Sequence, residues 1–82
     1  MEEYIQITVR FHKNRDIDIR VHAKQKWEYI TNILCENGII PGTSKSFSYK
    51  SLRQGKEFEG KFSSKEVGIY TGDIIELGER HG

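Results

Sequence analysis

The stretch that decides the fold is Ala23-Lys24-Gln25-Lys26-Trp27-Glu28-Tyr29-Ile30-Thr31-Asn32-Ile33-Leu34-Cys35-Glu36-Asn37-Gly38-Ile39-Ile40-Pro41. Ala23, Trp27, Ile30 and Leu34 recur at helical spacing and stack on one side of an α-helix, with Ile33 widening the stripe. Lys24, Gln25, Lys26, Glu28, Thr31, Asn32 and Glu36 are expected on the other side. Gly38 closes the helix, because glycine enters the left-handed conformation without a Cβ clash. Ile39 is then placed to pack back on Leu34, and Pro41-Gly42 breaks the chain. No Ser, Thr, Asp or Asn stands just before the helix, so its start is weakly marked.

Outward from this helix the period falls to two. On the N-terminal side, Ile5, Ile7, Val9 and Phe11 alternate with Gln6, Thr8 and Arg10, which is the pattern of a half-buried strand over Tyr4–Phe11. A polar link, residues 12–15, leads to Ile17, Ile19 and Val21 alternating with Asp16, Asp18 and Arg20. The two segments read as an antiparallel hairpin. On the C-terminal side, Phe47 and Tyr49 oppose Ser46, Ser48 and Lys50. Arg53-Gln54-Gly55 is a turn, and Lys56–Glu59 is a short strand carrying Phe58. Residues 60–69 read as irregular, anchored by Phe62, Val67 and Ile69. Thr71-Gly72-Asp73 is a tight turn, and a last strand places Ile75 and Leu77 inward, with Ile74 and Glu76 outward.

Strand, strand, helix, strand, short strand, strand describes an α+β fold with the helix on one face of a mixed sheet of four to five strands. The first and last strands are separated by a crossover containing the helix, so they can pair in parallel at the sheet centre. The expected organisation is a single domain over residues 1–82, with its core at about 4–78 and a flexible tail over 79–82.

Composition bounds the function. Eighty-two residues build one modest core. Thirteen Lys and Arg against twelve Asp and Glu give a net charge of +1, which disfavours a dedicated nucleic-acid binder. One cysteine permits no intramolecular disulfide and no Cys-based zinc or iron–sulfur site. No apolar run is long enough to span a bilayer, and the acidic start Met1-Glu2-Glu3-Tyr4 lacks the pattern of a secretory signal. The expected location is cytoplasmic, without direct membrane insertion.

The order of these elements resembles ubiquitin nearly end to end, and the exit Gly38-Ile39-Ile40-Pro41 is its most specific local match. Among ubiquitin-like proteins the chain is similar to the YukD/EsaB group of type VII (WXG-type) secretion in Gram-positive bacteria. Phe58-Glu59-Gly60, Val67-Gly68-Ile69 and Thr71-Gly72-Asp73-Ile74-Ile75-Glu76-Leu77 carry that likeness. The resemblance implies a ubiquitin-like β-grasp and a cytosolic accessory or regulatory role, with components of the secretion machinery as protein partners.

Ubiquitin and the sulfur carriers of the same fold act through a terminal Gly-Gly. This sequence ends Arg80-His81-Gly82, so the reading is a non-conjugating interaction module, with a modifier or sulfur carrier acting through Gly82 as the alternative. The candidate partner-binding residues lie on the sheet face away from the helix: Thr8, Arg10, Arg20, Ser48, Lys50 and Ile74, with Asp18, Ser46 and Glu76 beside them. Arg10, Arg20 and Lys50 suit an acidic protein surface. Cys35 reads as a semi-buried structural thiol. His12, His22 and His81 share no ligand spacing, and no paired carboxylates, phosphate-cradling loop or nucleophile elbow occurs. The expectation is therefore no catalysis, no cofactor and no metal.

Overall fold

The computed structural model describes residues 3–11, 15–42 and 47–79. Among the described residues five strands and two helices follow in the order β1 (Tyr4–Phe11), β2 (Arg15–His22), α1 (Trp27–Glu36), β3 (Phe47–Ser51), β4 (Lys56–Phe58), α2 (Ser64–Val67) and β5 (Ile74–Glu79). The sheet order is β2-β1-β5-β3-β4. β1 and β2 pair antiparallel from Tyr4 opposite His22 to Phe11 opposite Arg15. β1 and β5 pair in parallel at the centre, as the crossover requires, with Thr8 opposite Ile74 and Phe11 opposite Leu77. β3 runs antiparallel to both β5 and β4.

The alternation in each strand does what it should. Ile7, Val9, Phe11, Val21, Phe47, Tyr49, Ile75 and Leu77 turn inward and join Trp27, Ile30 and Leu34 of the helix in one core. Three rings meet where the core reaches β4, whose Phe58 is half-buried. Tyr49 stacks on Phe58 with centroids 5.5 Å apart, and Trp27 meets Phe58 and Tyr49 at 6.1 and 6.3 Å. Offset and tilted contacts of this kind add to the area the rings bury.

The helix departs from expectation at both ends. It starts at Trp27, not Ala23, because β2 continues to His22 and Lys26 is still extended. Ala23 is nonetheless core, as the next inward position after Val21. Lys24 and Gln25 lie in the turn between strand and helix. Among the described residues no side chain caps the helix start. The loop after β4 does so instead: Trp27 N–H donates to Phe62 O at 3.1 Å, and Glu28 N–H donates to Gly60 O at 2.9 Å. Two of the orphan donors of a first helical turn are thus satisfied by distant carbonyls. At the other end Gly38 has φ +70°, with Gly38 N–H donating to Cys35 O and Ile39 N–H to Leu34 O, which is a Schellman closure. The packing residue is Ile40, 1% exposed, whereas Ile39 is 44% exposed.

Thr31 was expected on the polar side and is instead fully buried. Its hydroxyl shares a hydrogen bond with the Tyr49 hydroxyl at 2.7 Å and donates to Trp27 O at 3.0 Å, so a polar side chain enters the core with its demands met. The region expected to be irregular holds α2. Ser63 and Glu66 form a reciprocal capping box at its start, and Gly68 ends it in the left-handed conformation. β4 ends at Phe58, one residue short of the expected bound. β5 reaches Glu79, paired with Phe47, so the strand takes the first residue of the expected tail. Arg80, His81 and Gly82, the rest of that tail, lie outside the described residues, as do His12 and Ser46.

Helix α2 is bound to the start of α1. Trp27 Nε1–H donates to Ser64 Oγ at 2.9 Å with both side chains buried, and Lys65 N–H donates to Ala23 O. Gly60 fits this contact through its missing side chain, because a Cβ would lie 2.8 Å from Tyr49 Cε2 and 3.1 Å from Glu28 Cβ. Ser64→Ala leaves the indole N–H buried without an acceptor and is expected to lower unfolding stability by about 1–3 kcal/mol. Urea denaturation followed by Trp27 fluorescence measures this, and an unchanged midpoint contradicts it.

Candidate protein-interaction face

The side of the sheet away from α1 carries the second set of alternating residues. Strand register decides which of them meet. Arg10 of β1 lies opposite Asp16 of β2 and Glu76 of β5. Glu76 lies opposite Lys50 of β3, and Lys50 opposite Glu57 of β4. One row therefore crosses all five strands as Asp16, Arg10, Glu76, Lys50, Glu57, with the charge changing sign at every step. Opposite charges at directly facing positions stabilise a sheet modestly and disfavour slipped registers.

Arg10 is the best-fixed member of the row. Its Nε and Nη2 donate to the two carboxylate oxygens of Asp16 at 2.9 and 3.1 Å, a bidentate pair. The guanidinium hydrogen bond holds the Asp16 carboxyl below its usual pKa, and the carboxylate in turn raises that of Arg10. Thr8, in the neighbouring row, donates its hydroxyl to Asp18 Oδ1 at 2.7 Å and faces Ile74 across the parallel pair. Ile74 is half-buried. Arg20 stands over the Tyr4 ring at 4.7 Å, a cation–π contact one row further along. Ser48 lies opposite Gly78, beyond the charged row on the other side. The six sequence-derived candidates thus share one face. Thr8 adjoins Ile74, Arg10 and Lys50 flank Glu76, and Arg20 and Ser48 lie towards opposite ends.

Acidic neighbours change the character of that face. Arg10 and Lys50, read from sequence as part of a basic area, each stand between two carboxylates. The face is a patterned surface of both signs. Glu57 was missed because its strand is only three residues long and gives no periodic signal of its own.

Three further features stand apart from the charged row. Asp73, expected only as a turn residue, is 1% exposed. It accepts from Ser51 Oγ at 2.7 Å, Ile74 N–H at 2.8 Å and Arg53 N–H at 3.3 Å, with the Arg53 guanidinium 3.6 Å away. Arg53 also covers the exposed Tyr70 ring at 5.0 Å and donates to Gly68 O, so this cluster locks the loop before β5. Cys35 is partly buried, and burial raises its thiol pKa, which lowers the thiolate fraction that nucleophilic chemistry needs. His22 Nδ1 accepts a hydrogen bond from Lys24 N–H at 3.1 Å. Among the described residues no cluster of three His, Cys, Asp or Glu side chains is placed to hold a metal ion, and no helix is long and apolar enough to cross a membrane.

This sheet order, with one long helix across it, is found in solved structures. The fold is ubiquitin-like. A protein designed de novo on the basis of ubiquitin superposes with a TM-score of 0.77 at 22% identity, covering 96% of this chain and 92% of that one. The N-terminal ubiquitin-like domain of the 4931431F19Rik protein, solved in solution, gives 0.75 at 10% identity, covering all of this chain and 80% of that one. No family model matches the sequence, and no curated protein does. At these identities the likeness concerns the fold.

The Arg10–Asp16 pair has a definite pH signature. A carboxyl whose pKa is depressed by folding contributes stability above its unfolded pKa, and that contribution is lost as pH falls through the folded value. Glu3, beside Lys65, and Glu66, bonded to Ser63, are depressed as well. Arg10→Gln is expected to raise the Asp16 titration midpoint while leaving those of Glu3 and Glu66 unmoved, as followed by carboxyl-carbon NMR. An Asp16 midpoint that stays put means that the pair does not form in solution.

Proposed function

We propose that the chain is a non-catalytic, non-conjugating ubiquitin-like module that docks protein partners through its open sheet face, as a cytoplasmic accessory component of a type VII secretion machine. The observation that carries the docking reading is the row Asp16, Arg10, Glu76, Lys50, Glu57, bordered by Thr8, Arg20, Ser48 and Ile74. A partner with charges in the opposite order meets every member of the row with an attractive contact, and one with uniform charge meets repulsion at alternate strands. Such a face selects a partner and speeds encounter without needing a pocket.

The pathway rests on the likeness of Phe58-Glu59-Gly60, Val67-Gly68-Ile69 and Thr71 to Leu77 to the YukD/EsaB group. In this chain those residues supply the ring stack at Phe58, the close approach at Gly60, the end of α2 and the buried Asp73. They support the reading through the fold they build. Secretion-machinery proteins are the proposed partners. Non-covalent action is proposed for the face, with no part assigned to the Arg80-His81-Gly82 segment.

Deletion of the gene is expected to reduce secretion of WXG-type substrates. Complementation with a Lys50→Glu, Arg10→Glu double variant is expected to fail although the protein still folds. Normal secretion in the deletion strain overturns the pathway. Intact-mass analysis of protein recovered from cells is expected to show only the free chain, and an adduct at Gly82 replaces this reading with that of a modifier or sulfur carrier.

A further inference from the structure

The outer edge of the sheet at β2 carries a pattern that is its own complement. Thr8 N–H donates to Asp73 O, towards β5, and Ala23 N–H donates to Glu3 O between the hairpin strands. Backbone groups alternate sides along a strand, so Ile5, Ile7, Val9 and Phe11 bond to Val21, Ile19, Ile17 and Arg15. The N–H and C=O groups of Asp16, Asp18, Arg20 and His22 therefore point away from the sheet. At His22 that outward pair is closed: its N–H donates to Gln25 Oε1 at 3.0 Å, and its carbonyl accepts from Gln25 N–H at 3.0 Å. The edge left for pairing is Asp16, Asp18 and Arg20. On the helix side Ile17 and Ile19 pack against the core cluster yet are only half-buried, because among the described residues no strand lies beyond β2. An exposed edge with half-covered apolar residues is a template for another strand.

We propose that this edge pairs antiparallel with β2 of a second copy of the chain, about a two-fold axis at Ile19. In that register Asp18 faces the partner's Arg20 and Arg20 faces the partner's Asp18. Each of these two residues exchanges both outward backbone bonds with its opposite, and the ladder ends there, because Asp16 comes opposite the partner's His22, whose outward pair Gln25 closes. On the helix side Ile19 faces the partner's Ile19, and Ile17 faces the partner's Val21. The half-buried isoleucines are covered, and the sheet continues through the dimer. Charge selects this register over its neighbours. A two-fold register centred on Asp18 forms Asp16–Arg20 pairs on either side but sets Asp18 against the partner's Asp18 at the axis, and one centred on Arg20 sets two guanidinium groups face to face; each brings a like-charge contact that the register centred on Ile19 lacks. A shift of one residue turns the isoleucines to solvent. Two contacts already hold the charged side chains at their posts: Thr8 Oγ1 on Asp18 Oδ1 and the Tyr4 ring under Arg20. Self-complementarity of this kind is what a two-fold interface requires, and the order Asp-Ile-Arg supplies it within three residues. A heterologous strand would need no such symmetry, so the second copy is the occupant the pattern favours.

Sedimentation equilibrium at low salt, over a concentration series reaching about 1 mM, tests the pairing. The wild-type chain is expected to move from monomer towards dimer. Asp18→Arg and Arg20→Asp each set like charges against one another at both symmetry-related positions, and each is expected to weaken association about tenfold or more. An equimolar mixture of the two variants restores both attractive pairs and is expected to associate, as is the double swap. A merely structural role for either residue gives no such rescue. A wild-type chain that stays monomeric throughout, single swaps that leave the dimer intact, or a mixture that fails to recover it overturns the proposal. Should a single swap fail to fold, Ile19→Cys in a Cys35→Ser background replaces it. That variant is expected to form a disulfide-linked dimer under mild oxidation, whereas Ile17→Cys is not, and equal crosslinking of the two contradicts the register.

Discussion

The structure depends on how helix α1 begins. A helix start exposes N–H groups that need acceptors, and the segment before Trp27 offers no capping side chain. The acceptors come from the loop after β4, through the carbonyls of Gly60 and Phe62. The Trp27 indole then binds Ser64, and Ala23 O accepts from Lys65 N–H. This contact joins the hairpin-and-helix half of the chain to the β4–α2 half at the level of the backbone. It also sets the Trp27 ring against Phe58 and Tyr49, where the core reaches β4. An interaction of this kind cannot form until residues more than thirty apart in sequence have met, so the helix gains its start and the core its ring contacts together.

With that side of the sheet committed to the core, the proposed docking falls to the opposite side. Its order follows from register. The alternation that buries Val9, Ile75 and Tyr49 on one face forces Arg10, Glu76 and Lys50 into line on the other. The pairs along this line are exposed, and their net contribution to stability is small. In the proposed docking their pattern rewards one charge order in a partner and penalises the others. The proposed self-pairing of β2 applies the same logic, with opposite charges on the open side and isoleucines on the core side meeting in the register centred on Ile19.

Much of this was legible in the sequence where the signal is periodic. Alternation placed β1, β2 and β5 and turned Ile75 and Leu77 inward. Helical spacing placed Trp27, Ile30 and Leu34, and Gly38 marked the closure. Three of the misses, Ala23, Thr31 and Asp73, involve partners far away along the chain. Ala23 read as helix because its apolar side chain fits the stripe, yet its backbone belongs to the turn after β2. Thr31 read as polar surface because the Tyr49 hydroxyl that satisfies it is eighteen residues away. Asp73 read as a turn residue because Ser51 and Arg53, its donors, lie across the sheet. Helix α2 had a local signal in Ser63-Ser64-Lys65-Glu66, the spacing of a capping box, but four residues give no helical period to accompany it. Strand alternation put the six candidate residues on one face, but Glu57 gave no signal of its own. The charge alternation of that face was not legible, because that property belongs to the strand register.

The most direct measurement is amide hydrogen exchange at Trp27 and Glu28. These positions open a helix, and such amides ordinarily exchange quickly through fraying. Capped by Phe62 and Gly60, they are expected to exchange as slowly as Val9 and Ile75 at the sheet centre, only through global unfolding. Rapid exchange at both positions in an otherwise protected protein would contradict the account.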